Sequence, residues 1–163
     1  MNRPIRALAA ATAWTLVCVA LAAQTADPRL TAADVEKVSG LAGIHAVARM
    51  SQPGAGGALN FVGADNHLVV MVNFGPAELY RRARNQKELN VGGTMIPMPL
   101  YHADVSGVGD EAFSSPPGPV QYILYARKGD KAISVSTYLR PGASKGVLTI
   151  DQLKQLASII FSR

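Results

Sequence analysis

The chain has 163 residues, 16 Lys+Arg against 11 Asp+Glu, a formal net charge of +5 and a single cysteine. That charge is too mild and too spread out for a polyanion-binding signature, which excludes nucleic acid as an expected partner. One cysteine also excludes a disulfide framework and a multi-thiolate metal centre.

The first residues read as a leader. "MNRPIRALAAATAWTLVCVALAAQ" opens with Arg3 and Arg6 and continues as an uncharged, mostly apolar run from Ala7 to Ala23. Ala20-Leu21-Ala22 places small residues where a signal peptidase reads them, so residues 1–22 are expected to be a cleaved signal peptide. The competing reading is a retained anchor, but the run is short of the roughly 20 residues that span a bilayer. Cys18 lies inside this segment behind Val17 rather than a small residue, which disfavours lipidation. Cleavage leaves no cysteine, 14 Lys+Arg against 11 Asp+Glu, and a net charge of +3. No transmembrane segment is expected after cleavage. The destination is an exported one, periplasmic or secreted.

Residues 23–29 read as a short linker and 30–163 as one domain, long enough to bury a core. "LTAADVEKVSGLAG" predicts a short helix with Thr31 as N-cap and Asp34 at the third position. Leu30 can staple onto Val35, and Gly40 or Gly43 stops the helix. "IHAVARM" and "ALNFV" predict strands on either side of the flexible "SQPGAGG", and "GADN" predicts a turn. "HLVVMVNF" is apolar on both faces, as expected of a central strand covered on both sides.

"GPAELYRRARNQKEL" predicts a second helix with Pro76 in its first turn. "NVGGTMIPMPLY", with two glycines and two prolines, is expected to be a long loop. "VQYILYAR" and "AISVSTYL" predict a hairpin pair joined at Gly129-Asp130, a two-residue turn of the glycine-first type. "LTIDQLKQLASII" predicts a last helix from Leu148 to about Phe161. Thr149 and Gln152 form its capping box, and Leu153, Leu156, Ala157 and Ile160 make one apolar face. Its likeness to "LTAADV" is explained by convergent capping as well as by duplication. Three helices and five or six strands, with hairpins and little βαβ alternation, predict an α+β domain with helices packed on an antiparallel sheet.

Several residues are candidates for function. "GVGDEAF" carries Gly107 and Gly109, which relax the backbone, and Asp110, which can bond a nearby N–H; it reads first as a structural turn. The alternative gathers His102, Asp104, Asp110 and Glu111 as ligands or acid/base groups of a metal-dependent, hydrolase-like enzyme. That spacing matches no established metal motif, and Asp110 and Glu111 are expected to face opposite ways on a strand. His45 and His67 have no second ligand at useful spacing.

Arg81, Arg82, Arg84 and Lys87 form the densest basic cluster, a solvated helix face or an anionic-surface contact. Tyr122 and Tyr125 are expected on opposite sheet faces, with Tyr138 on the paired strand. The 90–101 loop offers Met95, Ile96, Met98, Leu100 and Tyr101 as an apolar contact surface. The chain has no G-x-S-x-G elbow, S-x-x-K, H-E-x-x-H or Walker loop, so no cofactor and no nucleophilic or zinc chemistry is expected.

The order of the "LTAADVEKVSG" helix, "GVGDEAF", "YILYARKGDKAISVSTY" and the terminal "LTIDQLKQLASII" helix resembles small exported bacterial domains of the DUF3558-type envelope lipoprotein and extracytoplasmic sensor-like kind. The resemblance covers nearly the whole chain after the leader. It implies an antiparallel sheet flanked by helices in a Mog1/PsbP-like arrangement, and it brings no catalytic residues. Together these readings point to a noncatalytic binding or protein-interaction module, with a protein or small-molecule ligand of the cell envelope as partner.

Overall fold

The computed structural model describes residues 29–48, 57–97, 103–115, 121–138 and 148–163. The leader expected at 1–22, the linker up to residue 28, and Met98, Leu100, Tyr101 and His102 lie outside the described residues. In chain order the elements are α1 (Ala32–Ser39), β1 (His45–Ala48), β2 (Ala58–Val62), β3 (Leu68–Pro76), α2 (Ala77–Asn85), β4 (Glu88–Val91), β5 (Thr94–Pro97), β6 (Ala103–Asp104), β7 (Glu111–Ser115), β8 (Gln121–Lys128), β9 (Lys131–Tyr138) and α3 (Ile150–Ser162).

Seven strands form one sheet in the order β1-β2-β3-β9-β8-β7-β6, and β4 pairs with β5 separately. Every pairing is antiparallel. The architecture is the α+β one expected. The strand count is higher because β5 falls in the stretch read as loop, β4 straddles the expected helix end at Leu89 and that loop, and β6 falls where no element was expected.

The two-residue signals explain where the chain turns. Gly129 has φ +61° while Asp130 does not, so the β8–β9 hairpin closes through a glycine-first turn with Lys128 opposite Lys131. Gly92 and Gly93 both have positive φ, +60° and +90°, between Val91 and Thr94. That pair is the backbone requirement of the mirror-image hairpin turn, so part of the expected 90–101 loop is a β-hairpin. Its glycines close the turn instead of loosening the segment.

The helix ends follow their caps. Thr31 and Thr149 each close a capping box, with Asp34 and Gln152 as the reciprocal partners, and Gly40 ends α1 in the left-handed region at φ +71°. Pro76 is the N-cap of α2 and not a first-turn residue. The second helix stops at Asn85, short of the Leu89 expected, because Gln86 turns extended and Glu88 begins β4.

The sheet is covered on both faces. On one, α3 packs on β8 and β9 and α1 packs on α3. Leu153, Leu156, Ala157 and Ile160 meet Phe61, Val70, Val72, Leu124, Ile133 and Val135 in the main core. Burying each such Leu contributes about 1.5–3 kcal/mol. On the other face α2 sets Tyr80 against Phe113 and Ala132, with Leu79, Ala83 and Tyr125 alongside. The strand buried on both faces is therefore β9, where residues 132–137 are all buried. β3 was expected in that role. It is third from its edge, and Met71 and Asn73 on the α2 side stay only half-buried. Apolar content marked β3, but strand order placed β9 at the centre.

Candidate functional site

The Gly107–Phe113 corner precedes β7 and is anchored from both sides. Val108, between the two glycines, is buried in the main core. Gly109 has φ +61°, and a methyl group there would run into the carbonyl oxygen of Arg127, so the glycine lets the corner lie directly on β8. The Asp110 N–H donates to the Arg127 carbonyl at 2.7 Å, and the Gly129 N–H donates to Asp110 Oδ2 at 2.7 Å. Asp110 thus bonds a backbone N–H, in the β8–β9 turn 19 residues away.

Arg127 completes the clasp. Its Nη1 donates to the Gly129 carbonyl at 3.0 Å and lies 3.8 Å from Asp110 Oδ2, while its Nη2 lies 3.0 Å from Glu111 Oε1. The hydrogen bond that Arg127 donates to Glu111 chiefly raises the Arg127 pKa, with the charges of Glu111 and Asp110 acting in the same sense against desolvation. Asp110 and Glu111 were expected to point apart. They converge on one guanidinium because Asp110 lies outside β7, where strand alternation does not apply.

The turn held by this clasp forms one wall of a groove of about 800 Å³. Phe74, Ile133, Ile160 and Phe161 form its apolar floor, and the rim carries Arg29, Lys128, Lys131 and Arg163 against one acid, Asp130. The Arg29 guanidinium lies 3.6 Å over the Phe74 ring. Lys128 Nζ donates to the Phe161 carbonyl at 3.2 Å, a cation at the negative end of α3. Arg163 makes two bonds to Asp34, at 2.9 and 3.0 Å, tying the end of α3 to the start of α1. Burial pushes the Asp34 carboxyl up, but the Thr31 and Arg163 hydrogen bonds and the Arg163 charge outweigh it and hold the group below its ordinary value.

The remaining acidic candidate, Asp104, sits on edge strand β6 and binds Arg84 Nη2 at 2.7 Å. Arg84 also lies 5.0 Å over the Phe113 ring. Asp104 and Arg84, with Tyr80 and Glu111, line a smaller cavity of about 370 Å³. Burial there, reinforced by Glu111, raises the Tyr80 phenol. Among the described residues, no three His, Cys, Asp or Glu side chains gather as a metal-binding group. Asp104, Asp110 and Glu111 each meet an arginine.

The basic cluster expected on one helix is divided. Arg81 pairs with Glu78 at 2.9 Å, Arg84 turns to the sheet, Arg82 is exposed, and Lys87 lies exposed beyond the end of α2. Met95 is 53% exposed on the β4–β5 hairpin. Tyr122 packs with the main core and Tyr125 with the α2 cluster, on opposite faces as their spacing predicts. Tyr138 donates its hydroxyl to Met71 Sδ at 3.6 Å. His45 is exposed, and His67 Nδ1 has Asp65 at 3.5 Å, a carboxylate the spacing argument overlooked.

The groove residues were missed in the sequence because each sits in a stretch with a sufficient local explanation. "KGDK" reads as a turn, and Phe161 as the end of a helix. The usable signal was two lysines flanking a two-residue turn, which puts like charges directly across a hairpin. No protein-family model, curated protein or solved structure matches this chain. Among the described residues no helix is long and apolar enough to cross a membrane.

Proposed function

We propose that this chain is an exported, noncatalytic binding module of the cell envelope, taking a small-molecule or protein ligand in the groove between the β8–β9 turn and the end of α3. The observation that carries the reading is the groove itself. Its volume of about 800 Å³ falls within the range of about 300–1,000 Å³ typical of small-molecule sites. Its apolar floor and few charged rim groups are also what such sites use for affinity and orientation. The pairing of Asp110 and Glu111 with Arg127 supports a positioning role for these carboxylates, since they hold the turn that makes the groove wall. The leader expected at residues 1–22 and the resemblance to DUF3558-type envelope domains support the compartment.

The reading is tested by exposing the purified mature protein to an envelope extract and identifying what stays bound by native mass spectrometry. Ser162→Trp, which puts an indole on an exposed groove-lining residue, is expected to abolish capture without changing the far-UV spectrum. Capture unaffected by Ser162→Trp would move the site elsewhere. Recovery of a chemically altered ligand would replace binding with catalysis.

A further inference from the structure

The groove rim has an arrangement that folding alone does not favour. Lys128 and Lys131 are direct cross-strand partners at the β8–β9 turn. Like charges in that position destabilise a hairpin. Lys128 finds the Phe161 carbonyl, but among the described residues the Lys131 ammonium has no hydrogen-bond or ion-pair partner. Arg29 stands on the Phe74 ring in the same groove, and among the described residues Asp130 is the only carboxylate side chain on the lining. Below this positive rim the wall is apolar: Phe74, Ile133, Ile160 and Phe161.

A cationic rim over an apolar floor suits one kind of ligand. An uncharged hydrophobe would leave the Lys131 ammonium unmatched, and a small inorganic anion would leave the floor wet. An organic cation would meet repulsion. Resting on the binding-module reading, we propose that the groove takes an amphiphilic organic anion. Lys131 and Arg29 hold its carboxylate or phosphate head, and its apolar body lies along Phe74 and Phe161. The ligand then relieves the lysine–lysine repulsion that the free hairpin carries, so binding and hairpin stability are coupled.

The test uses the mature protein with decanoate, decanol and decyltrimethylammonium as probes in calorimetric titrations, and separately with phosphatidylglycerol vesicles. Decanoate, below its micelle concentration, is expected to bind about tenfold more tightly than decanol, the advantage of one charge-assisted contact. Decyltrimethylammonium is expected not to bind. Lys131→Glu should weaken decanoate by at least about tenfold. It should also raise the melting temperature, because it replaces a like-charge pair by an opposite one.

Arg82→Glu makes the same change in net charge on α2, outside the groove, and is expected to leave decanoate binding intact. Equal losses in the two variants would show a nonspecific charge effect and overturn the proposal. So would equal affinity for the three probes, or no decanoate binding up to about 1 mM. If vesicles bind and decanoate does not, the anion is a lipid headgroup in a bilayer and the groove assignment fails. Capture of some other ligand, blocked by Ser162→Trp, would leave the binding module standing and remove only the anionic amphiphile.

Discussion

The two faces of the sheet are built on different principles. The face under α1 and α3 is apolar: Phe61, Val70, Val72, Leu124 and Val135 meet one stripe of α3, and both helices start with a full capping box. The two helices are also tied to each other, by Arg163 to Asp34 and by Gln152 Nε2 to the Val38 carbonyl at 2.9 Å. The other face is covered at one end by α2, whose N-cap Pro76 makes no side-chain hydrogen bond. Its cluster is aromatic, with Phe113 between Tyr80 edge-on at 5.1 Å and Tyr125 stacked at 4.9 Å. Beyond α2 the same face turns polar, with Asn73, Ser134 and Ser136 in the sheet. The first face carries stability by area, and the second relies on a few specific contacts.

That contrast can be broken by mutation. The largest effect is expected at Leu156, fully buried on the inner face of α3. Leu156→Ala should cost about 2–5 kcal/mol in chemical denaturation, the usual price of a cavity in a well-packed core. A loss well under that range would mean that α3 is not the main support of the sheet.

Asp34→Asn comes next, at about 1–2 kcal/mol, since it weakens the α1 capping box and the charge-assisted tie to Arg163 together. The folded Asp34 carboxyl titrates below its ordinary value of 3.8. Its stabilisation is therefore present above that pH and is lost as pH falls through the lower folded value. Wild-type stability should fall more steeply than that of Asp34→Asn over this acid range, and parallel curves would remove the carboxylate from the account. The smallest effect belongs to the polar face. Asn73→Ala breaks the 3.1 Å bond to Ser134 Oγ and should cost about 1 kcal/mol in the same assay. A cost matching Leu156→Ala would erase the distinction between the faces.

Legibility in the sequence followed the range of the interaction. Thr31 with Asp34, Thr149 with Gln152, and the stripe Leu153, Leu156, Ala157 and Ile160 could be read because cap and partner lie three residues apart and a helix repeats every 3.6 residues. The Gly129-Asp130 turn was legible for the same reason. The Gly92-Gly93 turn carried an equally local signal that the neighbouring prolines obscured. The groove was not legible: Arg29, Phe74, Lys131 and Phe161 come from four separate stretches of chain, and each looked ordinary where it stood.

By itself, then, the sequence determined the three helices, the capping boxes of the first and last, and the apolar face of the last, because backbone propensity and capping act within one turn of chain. Tertiary structure alone decided that β9 and not β3 lies at the centre, that Asp110 and Glu111 meet on Arg127, and that two lysines of a short turn face an aromatic floor. Those outcomes depend on strand order and register. Pairings across 19 residues, as from Asp110 to Gly129, or 129, as from Asp34 to Arg163, leave no periodic trace in a single chain.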